Sequence, residues 1–241
     1  MKIACLHTAD SNIPIYEDAA RRLGLPADVL HHHVRADLLL TAERLGGLTA
    51  DIVVETADVL QRLSQDADAV ILNCSTLGPA SLQAATAAAA PIIRADGVLA
   101  EEAVKAGGKV IILCTVETTV RPTTELFEAA AKATGAEIEV RLIPGAWALF
   151  RAGDQPAYLA SIAEAVKVAY DENPTAVAFA QASMTDATRL LPETYARPMS
   201  GPTTALAAAL SKITAAGRCA RNRRSRSGQP TVAWLWAAMN S

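Results

Sequence analysis

The chain has 241 residues, 51% of them hydrophobic, which is enough for a buried core and too many for a disordered segment. With only 4% aromatic residues it lacks the stacking platforms that hold single-stranded nucleic acid. The formal charge of −3 is unevenly spread: residues 217–241 hold Arg218, Arg221, Arg223, Arg224 and Arg226 and no acid, so outside them 17 of the 22 basic residues face 25 acidic ones, a body too acidic to embrace a phosphate backbone.

The start, MKIACLHTAD, reads as a strand over 2–7 that opens into polar residues. It lacks the charged-then-apolar layout of a signal peptide, and no apolar run reaches the roughly 18 residues of a membrane span. A soluble, cytoplasmic protein with neither membrane nor nucleic-acid partners is expected. A helix over 15–23 leads to a strand over 28–33 that ends in His31, His32 and His33. Neighbours on a strand alternate faces and cannot all ligate one ion, so one packed ring and two solvated ones are expected. Cys5, Cys74, Cys114 and Cys219 show no CxxC or zinc-like spacing, so reduced thiols and no metal site are expected. Cys5 and Cys114 lie inside apolar strands and read as core.

Helices over 37–45 and 51–64 precede a strand over 69–73, whose end, NCSTLGP, sets a thiol among small hydrogen-bonding residues. A helix over 81–88, a strand over 91–94 and a helix over 98–106 follow. At 105–110, KAGGKV joins a helix-ending glycine pair to a new strand. That strand, 109–114, runs into TVETT. Next come a helix over 120–134, a strand over 137–143 and an apolar connection, PGAWALFRAGD, that reads as core packing. A helix over 156–171, a strand over 176–180 and helices over 186–191 and 203–215 complete the pattern. Strands alternating with helices give an α/β fold with mainly parallel sheets. The expected division is an N-terminal lobe, 1–106, carrying Cys74, and a C-terminal lobe, 107–199, carrying the threonine-rich loop and Gln181. A helix over 200–216 packs back on the first lobe, and 217–241 is a basic tail, expected to be disordered and given no function.

Slid along itself until Lys2 lies on Lys109, the chain matches itself twice. KIACLHTADSN falls on KVIILCTVETT, so that Thr8 meets Thr115, Asp10 meets Glu117 and Ser11 meets Thr118. The same shift lays AVILNCSTL on AVAFAQASM. Two stretches agreeing on one offset indicate a duplication. Two lobes related by a pseudo-twofold would then face each other across a cleft, with the ligand loops at the carboxyl ends of the strands. Those loops are 8–12, 73–78, 115–119 and 181–185, and the residue opposite Cys74 is Gln181.

With these residues laid out, the chain resembles the aspartate/glutamate racemase superfamily, which includes hydantoin racemases, maleate isomerases and arylmalonate decarboxylases. TADSN looks like its Asp-Ser element, NCSTLG like its first cysteine motif and CTVETT like its threonine-rich element. AQASM stands where the second cysteine motif is expected. The resemblance covers about residues 2–216. It implies two pseudo-symmetric lobes that clamp a small carboxylate or amino acid without a cofactor, and Cys74 as a catalytic acid/base. Asp10, Ser11, Asn12, Asn73, Ser75, Thr76, Thr115, Thr118, Thr119 and Ser183 would hold the substrate. A homodimer fits the resemblance, although no stripe in the sequence demands one. The departure is that the second thiol is missing, with Ala180-Gln181 in its place.

Removing a proton beside a carboxylate needs a base and donors for the developing enediolate, which amides at helix N-termini and hydroxyls supply. A thiolate serves if a helix N-terminus lowers its pKa. Two-base racemisation needs an acid on the opposite face, and glutamine has no proton to give. Three readings follow: another opposite-face acid, a one-acid reaction such as decarboxylation with stereoselective protonation, or covalent attack by Cys74. From another class comes a carboxylate-binding protein without catalysis. Strand alternation turns Cys114 away from Thr115, so rescue by Cys114 is not expected. Asp10 and Glu117 read either as an acid/base pair or as helix-dipole partners, and His7 is the histidine placed to reach the cleft.

Overall fold

The structure, a computed structural model, describes residues 1–227, and of 217–227 only the course of the backbone. Its first sheet holds β1 (Ile3–His7), β2 (Leu30–Val34), β3 (Ala69–Asn73) and β4 (Ile92–Arg94), all parallel, in the order β2-β1-β3-β4. The second holds β5 (Lys109–Cys114), β6 (Glu137–Leu142), β7 (Ala176–Phe179) and β8 (Met199–Ser200), parallel in the order β6-β5-β7-β8. The two orders are one topology used twice. The offset that lays Lys2 on Lys109 also lays Leu30, Ala69 and Ile92, which open β2, β3 and β4, on Glu137, Ala176 and Met199, which open β6, β7 and β8. The duplication therefore extends beyond the two stretches that reveal it in the sequence.

The helices are α1 (Ile13–Arg22), α2 (Ala36–Arg44), α3 (Ala50–Gln65), α4 (Ala80–Ala85), α5 (Ala95–Ala103), α6 (Glu117–Ala131), α7 (Ala146–Arg151), α8 (Gln155–Tyr170) and α9 (Gly201–Ser227). Strand alternation divides each sheet's side chains between two helical layers. On the first sheet, Ala4, Leu6, Val70 and Leu72 pack with Leu38 of α2, Leu60 of α3 and Ala84 of α4. Ile3, Cys5, Ile71 and Ile93 face the other way, onto Tyr16, Ala19 and Ala20 of α1 and Ala205, Leu206 and Ala209 of α9. On the second sheet, Ile111, Leu113, Val177 and Phe179 meet α7 and α8, whereas Val110, Ile112 and Ala178 meet Phe127 of α6 and Leu99, Ala100 and Ala103 of α5.

Each lobe thus lends its last helix to the other sheet. α5 follows the last strand of the first lobe and covers the second sheet, α9 follows the last strand of the second lobe and covers the first, and the two helices pack on each other. Each buried Leu, Ile or Phe contributes about 1.5–3 kcal/mol, so this exchange binds the lobes through shared core. An ion pair between Asp18 of α1 and Arg189 (3.1 Å) also bridges the lobes.

Three local readings differ from the sequence expectation. The helix expected over 186–191 is a run of 3-10 turns, Ala182–Leu190, started by the hydroxyl-rich segment after β7. The PGAWALFRAGD connection contains α7, entered through Gly145 at φ 75°, which only glycine adopts readily. β8 has two residues, too few for periodicity to reveal. The disorder expected from 217 onward concerns residues described only as the backbone continuation of α9 to Ser227, and 228–241 lie outside the described residues. Among the described residues, no helix is long and apolar enough to cross a membrane.

Candidate active site

Because each sheet is parallel, the carboxyl ends of its strands open at one edge, and the loops that follow carry the expected residues. After β1, Thr8 and Ala9 lead to a 3-10 turn, Asp10–Asn12, that places Asp10 and Ser11 at the surface and Asn12 half-buried. After β3, Asn73, Cys74, Ser75 and Thr76 are all half-buried. The register His7↔Asn73 between β1 and β3 sets these two loops side by side.

Alternation then decides which groups meet. His7 and Asn73 share the face toward α1, and Asn73 Nδ2 lies 3.3 Å from His7 Nδ1. Thr8 and Cys74 share the opposite face, where the thiol packs against the layer containing Leu77. Burial raises the Cys74 thiol above its ordinary value of 9.0; hydrogen bonds from the Leu77 amide, the Thr8 hydroxyl and the Thr76 amide pull it down without overcoming that, and Asp96 adds to the rise. The sequence expectation of a thiol lowered by a helix N-terminus is therefore corrected. The donors are present, but α4 starts only at Ala80, and desolvation outweighs two amides and a hydroxyl.

Two residues beside the 73–78 loop escape the sequence reading. Arg94, at the end of β4, makes a two-pronged pair with Asp96 (2.7 and 2.8 Å), and its guanidinium lies over Gly78. A Cβ on Gly78 would stand 2.3 Å from Arg94 Nε, so the glycine of the NCSTLGP motif makes room for an arginine. The register Leu72↔Arg94 carries Arg94 to this edge. The strand itself is expected from the sequence, but the register that brings its last residue to this loop is not.

In the second lobe, Thr115 is buried at 2% exposure, Thr119 and Ser183 are half-buried, and Glu117 and Thr118 are exposed. Pro122, inside α6, removes the N–H that would bond the Thr118 carbonyl and loosens the first turn that carries Thr118 and Thr119. Gln181 lies at the centre. Its Oε1 accepts from the Thr115 amide (2.9 Å) and hydroxyl (3.2 Å), and its Nε2 donates to Thr119 Oγ1 (2.9 Å) and Cys114 Sγ (3.2 Å). Both protons and both lone pairs of the amide are used. Cys114 is fully buried, as expected for a core residue, yet its thiol lies beside Gln181 and 2.8 Å from Thr119 Oγ1. Gln181 is long enough to touch both faces of the strand end, which alternation alone did not predict. Behind Thr115, the Tyr158 hydroxyl bonds Ser183 Oγ (2.9 Å) and approaches Thr115 Oγ1 (3.4 Å).

The lobes carry equivalent pairs. Thr8 bonds the thiol of Cys74, and its counterpart Thr115 bonds the amide of Gln181. The same hydroxyl position serves a proton-bearing sulfur in one lobe and a neutral amide in the other. Two surface hollows, one lined by Asp58, Gln61, Arg62, Gln65 and Ala87 and the other by Glu128, Ala131, Lys132, Gly135, Ala136 and Ile138, include no residue of these loops.

A family profile described as Asp/Glu/Hydantoin racemase matches residues 41–210. The chain belongs to this family. It is accordingly an isomerase-type enzyme. Among solved structures, an aspartate racemase homologue from Pyrococcus horikoshii shares 15% identity over 88% of this chain and 99% of its own, with a TM-score of 0.63. Allantoin racemase from Klebsiella pneumoniae shares 16% over 90% and 89%, at 0.66. Unliganded arylmalonate decarboxylase shares 13% over 88% and 92%, at 0.55. At these identities the likeness is one of fold, with two four-stranded parallel sheets flanked by helices. A comparison with curated proteins gives no match.

Proposed function

We propose that the enzyme handles a proton at the carbon beside a carboxylate with one thiol, that of Cys74, on a small carboxylate or amino acid and without a cofactor. The observation that carries this reading is the contrast between the two equivalent positions. Cys74 bears a titratable proton beside two amides and a hydroxyl, whereas Gln181 spends its whole amide on the second lobe's own loop. Ser75, Thr76 and the amides of the 73–78 loop are the donors for a developing enediolate. Asp10, Ser11, Asn12, Asn73, Thr118, Thr119 and Ser183 are the anchoring groups, and Thr115 shapes the loop that bears them.

A buried thiol with a raised pKa is a poor base while free. A substrate carbon brought against it makes proton transfer local, and the Thr76 and Leu77 amides then stabilise the thiolate that forms. The thiol returns the proton on its own face, so an amino acid exchanges deuterium there, and inversion requires a proton donor other than Gln181 on the opposite face.

A second reading is favoured by the full occupation of Gln181. Decarboxylation of a malonate needs one acid only, because loss of CO₂ generates the carbanion that Cys74 protonates. Proton NMR in D₂O with aspartate, glutamate, hydantoins and aryl- or alkylmalonates separates the two. Loss of a Cα proton signal identifies the first and release of CO₂ the second, and either must vanish in Cys74→Ala. If the activity survives in that variant, the proposal is wrong. If no compound reacts and one still binds, the protein is a carboxylate binder.

A further inference from the structure

We propose that the first lobe contains a zinc site formed by Cys5 and His7 of β1 and His32 of β2. The three ligand atoms lie within 4.8 Å of one another. The sheet creates this cluster in two steps. Cys5 and His7 are two apart on one strand and so share a face, and the register pairs Cys5 directly with His32. His7 Nε2 lies 2.9 Å from His32 Nδ1, and the two rings stack with centroids 5.2 Å apart. The histidine triplet thus contributes one ring only, while His31 and His33 point to solvent on the other face.

The surroundings favour an ion over a simple ring-to-ring hydrogen bond. The cluster sits in the layer under α1 and α9, with Cys5 and His7 fully buried. Two other polar atoms there have no partner: the Tyr16 hydroxyl, whose ring packs edge-on to His7 with centroids 5.0 Å apart, and His32 Nε2. Of these, the Tyr16 hydroxyl is the atom that an ion held by Cys5, His7 and His32 Nδ1 would engage, while His32 Nε2 would still turn toward Glu17. One thiolate and two neutral imidazoles form the donor set that zinc takes in a tetrahedral shell, and the Tyr16 hydroxyl is the buried donor the layer offers for the fourth position. Glu17, 3.9 Å from His32 Nε2 and exposed, marks the rim through which an ion would enter.

Binding releases one proton, that of the Cys5 thiol, to solvent, and the sulfur gives a lone pair to zinc. The hydrogen shared between His7 Nε2 and His32 Nδ1 moves to a ring nitrogen that does not bind the metal, so both rings stay neutral while Nε2 of His7 and Nδ1 of His32 bind it. Asn73 must then offer His7 its oxygen instead of its amide nitrogen. Occupancy of the site is thereby linked to the residue that precedes Cys74.

The test uses Co²⁺ as a spectroscopic stand-in on the full-length protein after chelation. The expected result is one equivalent bound, with a near-ultraviolet sulfur-to-cobalt charge-transfer band and tetrahedral visible bands, both erased by one equivalent of Zn²⁺. Cys5→Ser should lose the charge-transfer band, and His32→Gln should weaken binding at least about 100-fold, since even outer-shell changes cost 10–100-fold. His31→Ala with His33→Ala should change nothing. Wild type that binds no Co²⁺, or binds it without the charge-transfer band, overturns the proposal. So does binding that depends on His31 and His33. The wild-type titration decides the question even if Cys5→Ser does not fold.

Discussion

Replacing Gln181 by leucine, which is close to it in volume, tests whether this side chain is held in the second lobe or is free to face the cleft. The substitution removes four hydrogen bonds. The heaviest loss is at the Thr115 amide, in a residue only 2% exposed, because a buried donor left unpaired costs about 1–3 kcal/mol. The hydroxyls of Thr115 and Thr119 and the Cys114 thiol can turn to other partners; Thr119 already donates to the Val116 carbonyl at 2.7 Å. Their share is about 1 kcal/mol together. A net loss of about 3 kcal/mol should lower the melting temperature by about 6–12 °C in a chain of this size. Calorimetry of wild type, Gln181→Leu and Cys74→Ala supplies the comparison. Cys74→Ala gives up a small side chain and leaves no buried amide without a partner, so it should melt within about 4 °C of wild type. If Gln181→Leu melts within about 2 °C of wild type, the network is not what holds Gln181, and the case for one-sided chemistry fails with it.

Three further outcomes follow from the geometry. The thiolate is the species that is alkylated and burial raises the Cys74 pKa, so its rate with iodoacetamide should stay low at neutral pH and climb only above pH 9.0; a midpoint below that value would contradict the described packing. Gly78→Ala drives a Cβ into the Arg94 guanidinium, which can move only by disturbing its pair with Asp96, and should cost about 1 kcal/mol by urea denaturation; an unchanged midpoint would mean that the guanidinium swings clear without consequence. Hydrogen bonds from Arg141 and then Lys109 hold Glu139 and Glu172 at about 2, so their contribution to stability is complete above pH 4.5 and disappears as the pH falls toward 2; the Glu139→Gln, Glu172→Gln double variant should lack that part of the wild-type acid unfolding profile.

What the sequence discloses depends on whether a feature is periodic. The two lobes were legible because a repeated strand pattern survives in KIACLHTADSN and KVIILCTVETT, and the fold follows from the alternation. The placement of Cys74 at a strand mouth was legible for the same reason. Its protonation was not, since that balances burial against three donors, one of them Thr8 on a different loop. The Cys5, His7 and His32 cluster is equally hidden: alternation puts His32 on the face opposite His31 and His33, but only the β1–β2 register sets it beside Cys5. The strand ending at Arg94 is legible, but that its guanidinium lies over Gly78 depends on the β3–β4 register. Gln181 was legible as a substitution, whereas its engagement with both Thr115 and Cys114 depends on side-chain reach across two faces.

The duplication explains how the position equivalent to Cys74 can hold glutamine without disabling the fold. In each lobe a threonine at the end of the first strand bonds the residue at the end of the third, so the position after β7 must supply an acceptor for Thr115 whatever its chemistry. Glutamine meets that demand and adds a donor that reaches Thr119, tying the first turn of α6 to the end of β7. A cysteine there would keep the proton chemistry and give up the tie. The exchanged helices α5 and α9 keep the lobes in register regardless, since each lobe's core is completed by the other's helix. The second lobe can therefore hold a neutral amide, fully engaged with its own loop, at the position equivalent to Cys74.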